Sequence, residues 1–307
     1  MRLDLIVLAA FSFAFSPPLA AQDSESGSER KTITVRFLHG GDKVNQAEFD
    51  NERGAPFFRA IIGDQSVCAL LDTGAEVSVV GLEVARKAGL AVSDPKGALI
   101  GLSGEQKSSH LVEAVPIEIP GQLVFQRDMV GAELPEYVCS DGSRLGFVLG
   151  MDFLGKMAIL LDNRRKRMIL LPSGRINVKE HLFARLPWAD GQVDGAIEGA
   201  TARFKVDTGS SSALSVRAAE FERFFPSEEI VTMPSSTMAR GRTANEGVAD
   251  VEFSVGPLRI TGNAKRVAHL NGSAPASIGY PVIGQTVVVL DASAGAIFLR
   301  KPDASDE

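Results

Sequence analysis

The sequence predicts an all-β chain of two similar lobes that carry few short helices. The length of 307 residues favours two domains, since one domain typically takes about 100–200 residues. Many short β-prone runs alternate with Gly-rich turns, a pattern that is typical of β lobes. An internal repeat divides the chain into two copies, and an apolar content of 45% is enough for a core in each.

The repeat is centred on the tripeptide Asp-Thr-Gly, which begins at Asp72 in the first copy and at Asp207 in the second. Each tripeptide follows a short apolar run, and each run follows a predicted hairpin turn, at residues 63–64 and 198–199. A helical pattern comes after each tripeptide and ends at Gly89 or at Pro226. The same order of elements is therefore expected in both lobes.

A second landmark is an apolar pair followed by glycine. Val-Leu-Gly ends at Gly150, 78 positions after Asp72, and Val-Ile-Gly ends at Gly284, 77 positions after Asp207. We expect these segments to pack beneath the two Asp-Thr-Gly turns and to exclude water from them.

The second copy is predicted to be shorter after this landmark. An Asp turn that joins two strands follows 12 residues after Gly150, at Asp162, but only 7 residues after Gly284, at Asp291. On this alignment, the short helix expected at residues 153–157 has no counterpart in the second copy.

Two aspartates held about 3 Å apart can hydrolyse a peptide bond. They cannot both ionise, so one pKa rises and the pair shares a proton. One carboxylate then acts as a base towards a water molecule, while the other acts as an acid. Asp72 and Asp207 are the candidate catalytic residues, because Asp is short and its position is set by the backbone.

The neighbouring residues fit the same chemistry. Thr73 and Thr208 can hydrogen-bond across to the opposite loop, and Gly74 and Gly209 allow backbone amides to approach a carboxylate closely. A single Asp-Thr-Gly is a weak signal, because many surface turns contain it. Two copies in matching surroundings are a strong one, and a duplicated β domain that keeps the turns only for folding does not explain the threonine in both.

The residue after each glycine differs between the copies. Ser210 has a hydroxyl that can donate to Asp207, whereas Ala75 has none to offer Asp72. Because a donor to the charged form lowers a pKa, we expect Asp207 to be the more readily ionised partner.

These motifs resemble those of the aspartic peptidases. Asp-Thr-Gly-Ala at 72–75 resembles the retropepsin type, and Asp-Thr-Gly-Ser-Ser at 207–211 resembles the pepsin type. The segment 149–154, Leu-Gly-Met-Asp-Phe-Leu, is similar to the one that closes a retropepsin-like domain. The resemblance covers about residues 53–172 and 189–302.

The resemblance implies a bilobal pepsin-like acid protease fold made of two tandem retropepsin-like barrels. The active cleft would lie between the lobes, where Asp72 and Asp207 meet. It implies an aspartic endopeptidase that acts on polypeptides without metal or organic cofactor. It also implies a monomer in which one chain forms an intramolecular pseudo-dimer.

By the same resemblance, residues 100–105 form a flap whose closure shields the reaction from water. Its substrate-binding residues would be Gly101, Leu102, Ser103 and Gly104, with the two glycines giving mobility. The segment departs from pepsins, since neither Tyr137 nor Tyr280 lies in it. The turn at 240–243 is either a second flap or a plain surface hairpin.

The N-terminus is typical of a secretion signal, which places the protein in the periplasm or outside the cell. Arg2 precedes an apolar stretch at residues 5–15, which is too short to span a bilayer, and Ala20 and Ala21 follow. An uncleaved anchor is the alternative. No later segment is apolar and long enough for stable membrane insertion.

The predicted organisation therefore has five parts: a signal peptide at 1–21, a leader at 22–52, lobes at 53–172 and 189–302, and a connector at 173–188. The leader is expected to be a linker with an added strand. The alternative is a pro-segment whose basic residues pair with the dyad before activation, namely Lys31, Arg36 and Lys43.

Charge and histidine content exclude other function classes. A net charge of −6 without clustered Lys and Arg gives no nucleic-acid surface. The one basic run, at 164–167, is interpreted as a solvated hairpin turn, with contact to an anionic surface as the alternative. The four histidines lack paired ligand spacing and no Gly-x-Ser-x-Gly occurs, which argues against zinc and serine hydrolases.

Two alternatives stay open at this stage. Cys68 and Cys139 either form a disulfide, which export would allow, or remain small buried thiols. The chain is either an active peptidase or an inactive module that holds extended peptides in its cleft. The shortened second copy is the main reason to keep the second function.

Overall fold

The computed structural model describes residues 35–39, 44–51, 54–100, 106–226, 228–237, 241–270 and 272–301. These residues are mostly β-strand with four short helices, which confirms the all-β, two-lobed prediction. The signal segment, much of the leader and the predicted flap residues 101–105 lie outside the described residues. Within the described part, no helix has the length and apolar character needed to cross a bilayer.

The first half of the described chain forms the following elements, in order: β1 (Val35–Phe37), β2 (Ala47–Asp50), β3 (Phe57–Ile62), β4 (Gln65–Leu71), β5 (Val79–Gly81), α1 (Leu82–Lys87), β6 (Val92–Ile100), β7 (Gln106–Ile119), β8 (Leu123–Ala132), β9 (Leu145–Leu149), α2 (Met151–Leu154), β10 (Met157–Asp162) and β11 (Arg167–Pro172).

The second half continues with these elements: β12 (Phe183–Pro187), β13 (Gln192–Ile197), β14 (Ala200–Asp207), β15 (Leu214–Arg217), α3 (Ala218–Phe224), β16 (Val231–Thr237), β17 (Gly241–Val255), β18 (Leu258–Val267), β19 (Ala276–Gly279), α4 (Tyr280–Ile283), β20 (Val287–Asp291) and β21 (Ala296–Arg300). The predicted turns at 63–64 and 198–199 are confirmed, because they join β3 to β4 and β13 to β14. The basic run likewise lies where β10 turns into β11.

The strands close into two six-stranded barrels with the same connectivity. The first barrel runs β3-β4-β9-β5-β8-β7 and closes through pairing of β7 with β3. The second runs β13-β14-β19-β15-β18-β17 and closes through β17 with β13. In both barrels the second and third strands are parallel to each other, as are the fourth and fifth. Closure removes the exposed sheet edges that would otherwise pair with other chains.

Alternation along β4 and β14 places one face in the barrel core and the other towards the aspartates. Val67, Ala69 and Leu71 of β4 are buried in the core, as are Ala202, Phe204 and Val206 of β14. Because side chains alternate with period two, the opposite face of each strand leads to the aspartate at its end. That face carries Leu70 before Asp72 and Lys205 before Asp207.

A six-stranded layer, the joining sheet, is continuous with the first barrel through β2. Its strand order is β2-β11-β10-β20-β21-β12, and antiparallel β10 and β20 meet at its centre, with Leu160 opposite Val289. The hairpin after each barrel thus contributes equally to one shared layer. The connector between the lobes is not purely a loop, because it includes β12, which pairs with β21.

The leader also contributes strands. β1 pairs with β8 of the first barrel, while β2 pairs with both β3 and β11. The described part of the leader is therefore built into the first barrel and the joining sheet.

The expected shortening of the second copy was wrong. Helix α2 begins after Gly150, and helix α4 begins after Gly279, so Gly279 is the counterpart of Gly150. Gly284 ends α4 as Gly155 ends α2. Counted from Gly150 and from Gly279, the following Asp turns lie 12 residues on in both copies.

Hydrogen bonds support this alignment. The N–H of Met151 donates to the carbonyl of Ala75, and the N–H of Tyr280 donates to the carbonyl of Ser210, both at 2.9 Å. A side chain at either leading glycine would collide with backbone, 2.6 Å from the Val77 carbonyl in the first copy and 2.0 Å from the Ser212 carbonyl in the second. The second copy therefore retains the complete segment.

Cys68 and Cys139 form a disulfide, which settles the alternative that the sequence left open. Their Cα atoms are 6.1 Å apart, and the bond ties β4 to the loop at residues 133–144. The same loop packs Tyr137 on Phe57 of β3, with ring centroids 4.4 Å apart. The disulfide therefore fixes a loop against the strand that leads to Asp72.

We predict that reduction of this bond destabilises the protein. A disulfide that closes a long loop restricts the unfolded chain and typically contributes about 2–4 kcal/mol. Urea unfolding of the wild type should lose about this amount with reductant, whereas Cys139→Ala should be equally stable with and without it. Equal stability of Cys139→Ala and the oxidised wild type would contradict the prediction.

Candidate active site

The two Asp-Thr-Gly turns meet where the barrels face each other. Asp72 follows β4 directly and is partly buried, and Asp207 ends β14 and is buried. Their carboxyl groups hydrogen-bond to each other. A side chain at Gly74 would begin 2.4 Å from the Cγ of Asp207, and one at Gly209 would begin 2.4 Å from the Cγ of Asp72. Each carboxyl thus packs on the glycine of the opposite turn, a contact that no other residue type allows.

The two threonines cross-brace the turns. The Oγ1 of Thr208 accepts from the N–H of Thr73, and the Oγ1 of Thr73 accepts from the N–H of Thr208, both at 3.0 Å. Each hydroxyl also donates to a strand of the other barrel. Thr73 donates to the carbonyl of Val206 at 2.7 Å, and Thr208 donates to that of Leu71 at 2.8 Å. Both threonines are almost fully buried, so these four bonds lie out of water.

Burial raises the pKa of both carboxyl groups, and the rise is greater for Asp207. Beyond burial, the charge of Asp72 and the hydrogen bond with it raise the pKa of Asp207 further. Asp72 instead receives the N–H groups of Gly74 at 2.8 Å and Ala75 at 3.1 Å, which favour its charged form. The backbone donors around the pair therefore favour the charged form of Asp72.

The expectation that Asp207 is the more readily ionised partner was therefore wrong. The hydroxyl of Ser210 accepts from the N–H of Ser212 at 3.2 Å instead of serving the dyad. Burial and the charge of Asp72 raise the pKa of Asp207 most, and Asp207 is stabilised by the backbone amide of Gly209 alone, whereas Asp72 accepts from two backbone amides.

Lys205 is a site residue that sequence reasoning missed. Its Nζ donates to the carbonyl of Gly74 at 3.0 Å and so crosses from the second barrel to the first. Its positive charge lowers the pKa of both Asp72 and Asp207. The available signal was its position two residues before Asp207 in a strand, since alternation places both side chains on one face.

The first turn has a second layer of support that was also missed. The carboxylate of Asp152 accepts from the N–H of Ser78 at 2.8 Å and from its hydroxyl at 2.7 Å, and it pairs with Arg127 at 2.9 Å. The hydroxyl of Ser78 in turn accepts from the N–H of Gly150 at 2.9 Å. In the second copy Pro281 stands at the position of Asp152, so this network braces only the first barrel.

The predicted flap residues Gly101, Leu102, Ser103 and Gly104 lie outside the described residues. They connect β6 to β7, which pair as an antiparallel hairpin. The second barrel has a hairpin at the equivalent place, β16 with β17. Of the predicted turn at 240–243, residues 241–243 belong to β17, and residue 240 lies outside the described residues. The two barrels thus present one hairpin each, as their shared connectivity requires.

A metal ion in a protein is held by several ligating side chains that lie close together. Among the described residues, no three or more His, Cys, Asp or Glu side chains are grouped closely enough to hold a metal ion. The candidate site therefore consists of two carboxyls, two threonines, two glycines and one lysine.

Residues 58–153 match the family model described as aspartyl protease. The match begins in β3, contains Asp72, Thr73 and Gly74, and ends in α2, so it covers the first barrel. No curated protein is significantly similar to the chain. The second barrel repeats the connectivity of the first and supplies the second Asp-Thr-Gly turn. The first barrel is therefore similar to the retropepsin-like aspartyl protease family.

Proposed function

We propose that the protein is an aspartic endopeptidase that hydrolyses peptide bonds with a water molecule activated between Asp72 and Asp207. One observation carries this proposal: two carboxyls, one from each barrel, are hydrogen-bonded to each other where the turns meet. Such a pair supplies a base and an acid at one point, which amide hydrolysis requires.

The larger rise in the pKa of Asp207 supports Asp72 as the base and Asp207 as the acid. Asp72, the ionised partner, takes a proton from water as the water attacks the scissile carbonyl carbon. Asp207 gives its proton to the carbonyl oxygen, which yields a tetrahedral diol. Collapse of the diol breaks the C–N bond while Asp72 protonates the leaving amine and Asp207 takes a proton from one diol hydroxyl, so the pair ends with one proton, as it began.

The rest of the site holds the two carboxyls in the geometry that the reaction needs. The crossed threonines hold the turns at fixed separation, so that little reorganisation accompanies each proton transfer. Low dielectric around the buried pair strengthens the shared hydrogen bond. Because one chain supplies both halves, we propose that a monomer is sufficient and that an extended polypeptide binds between the barrels, beneath the two hairpins.

We also propose that the protein acts in the periplasm or outside the cell. The disulfide supports this, because disulfides persist in oxidising compartments. The apolar N-terminal segment supports it as well, since its length suits a signal peptide.

The alternative of an inactive peptide-binding module loses its main argument. It rested on a shortened second copy, but the second copy has the helix and the Asp turn at the same spacing as the first. The module remains only as the result that would replace our proposal if cleavage is not observed.

We predict that Asp72→Asn and Asp207→Asn each abolish cleavage of an unfolded protein. Asn has the same shape and still accepts the backbone N–H bonds, but it cannot carry the shared proton, so activity should fall at least about 100-fold. Peptide release from a reduced, alkylated substrate measures this, and pepstatin should inhibit the wild type. Asp194→Asn, which alters an exposed aspartate of the second barrel, should remain active. Full activity in either dyad variant would contradict the mechanism.

The raised pKa of Asp207 predicts how stability depends on pH. Between the ordinary pKa of 3.8 and the raised value, the folded protein binds a proton that the unfolded chain has released. The wild type therefore loses stability as pH rises through this interval. Asp207→Asn needs no proton, so its stability relative to the wild type should increase as pH rises above about 4.

Urea unfolding at several pH values measures this difference. Asp194→Asn is again the control, and its difference from the wild type should stay nearly constant. A difference for Asp207→Asn that does not change with pH would show that Asp207 carries no extra proton in the folded state.

The crossed threonines generate a third prediction. Thr208→Val keeps the shape but leaves the N–H of Thr73 without its acceptor, which should cost about 1–3 kcal/mol of unfolding free energy and most of the activity. Thr208→Ser retains the hydroxyl and should restore most of both. If Thr208→Val and Thr208→Ser behave alike in urea unfolding and in peptide cleavage, the hydroxyl is not what holds the turns.

A further inference from the structure

Each barrel carries a row of five side chains that lie side by side across neighbouring strands. In the first barrel the row is apolar throughout: Phe57, Leu70, Val148, Val79 and Val130. In the second barrel the register-matched row is polar throughout: Gln192, Lys205, Ser277, Ser215 and Lys265. The two halves of the molecule therefore differ at every position of this row.

Both rows lie on the faces that lead to the aspartates. Leu70 precedes Asp72 by two residues, and Lys205 precedes Asp207 by two, so each shares a strand face with its aspartate. Adjacent strands lie about 4.8 Å apart, so the next members of each row follow at that spacing. The second row thus extends from the dyad across the wall of the second barrel.

The loop that follows β8 in the first barrel also differs from the loop that follows β18 in the second barrel. In the first barrel it spans residues 133–144, and its Leu134 and Tyr137 pack against the apolar row. In the second barrel it spans only residues 268–275. The loop over the second row is therefore shorter, and its Ser273 contacts Gln192 of that row.

The second row contains buried polar atoms that lack partners. Among the residues that the structure describes, the Oε1 of Gln192 and the Oγ of Ser277 accept and donate no hydrogen bond, although Gln192 is 8% exposed and Ser277 is 1% exposed. They are the two register neighbours of Lys205. Buried groups of this kind are rare in proteins, and a bound ligand is one way to satisfy them.

The donors of the row suit an anion. The Nζ of Lys205 has three N–H groups and uses one for the carbonyl of Gly74, while the hydroxyl of Ser277 has its proton to donate. The amide of Gln192 now donates to Ser273 at 3.2 Å, but it can turn its NH2 group into the row, because the Ser273 hydroxyl can equally donate to the amide oxygen. Among the salt bridges of the described residues, none involves Lys205 or Lys265, and the charge of Lys205 acts on the two aspartates of the dyad.

We propose that this polar row is a substrate subsite for an acidic side chain, in which Lys205 and Ser277 donate hydrogen bonds to a Glu or Asp carboxylate near the scissile bond. This rests on the proposed peptidase function. The apolar row of the first barrel offers no comparable donor, so the acidic preference applies to one side of the scissile bond only. A charge-assisted bond to a carboxylate is about twice as strong as a neutral one, which makes the preference selective.

The experiment compares peptides that differ only by Glu or Gln at one position near the cleaved bond, all amidated at the C-terminus so that no terminal carboxylate competes. For the wild type we expect kcat/KM for Glu to exceed that for Gln at least about tenfold at one position. Lys205→Leu, which installs the residue of the first row, should abolish this ratio. Lys205→Arg should retain most of it.

The ratio is the essential readout. Lys205 also acts on the dyad, so its replacement changes overall activity, but a ratio of two substrates on one enzyme cancels that change. Arg203→Leu is the matched control, because Arg203 lies on the same strand face two residues earlier and pairs with Asp194. Arg203→Leu should leave the ratio unchanged.

Ser277→Ala should lower the ratio. If Lys205→Leu does not fold, Ser277→Ala replaces it as the test.

Two results would overturn the subsite: equal rates for Glu and Gln at every position in the wild type, or a ratio that persists in Lys205→Leu and Ser277→Ala. Failure of the peptidase function is distinguishable. If the wild type cleaves none of the peptides, fluorescence polarisation with the same labelled pairs still measures the subsite. Tighter binding of the Glu peptide, lost in Lys205→Leu, would then support it, and equal binding would overturn it.

Discussion

The crossed hydrogen bonds of Thr73 and Thr208 are the interaction on which the site depends. Each threonine accepts from the backbone of the opposite turn and donates to a strand of the opposite barrel, so neither turn is satisfied alone. Because the threonines are buried, loss of either barrel would leave polar groups of the other without partners. The glycines then let each carboxyl pack on the opposite turn, which brings the two carboxyls together where the barrels meet.

The joining sheet limits how far the two barrels can move against each other. Strands β10 and β20 pair at its centre, and they follow the helices that lie beneath the two turns. Any sliding of one barrel against the other would have to break backbone pairs in this sheet as well as the bonds between the threonines. The two turns are thus held by the side chains of the two threonines and by the continuous backbone hydrogen bonds of the joining sheet.

Sequence reasoning reached the dyad because Asp-Thr-Gly is a local motif with a repeated setting. It failed at Gly284 because it assumed equal spacing in the two copies, whereas the loop before β19 is shorter and moves the matching glycine to Gly279. The pattern of two glycines five apart, at 150 and 155 and at 279 and 284, held the correct alignment. The sequence could not predict the disulfide or the direction of the difference in pKa between the two aspartates, because both depend on distances and burial that only the folded chain defines.

Differences between the two copies are concentrated on the faces that surround the dyad. The inward faces of β4 and β14 are equally apolar, as two barrel cores demand. The opposite faces have diverged, with Leu70 against Lys205 and Val148 against Ser277. A symmetric dimer would present identical walls on both sides of its seam. A single chain is free of this constraint, so that one wall can carry charge while the other stays apolar.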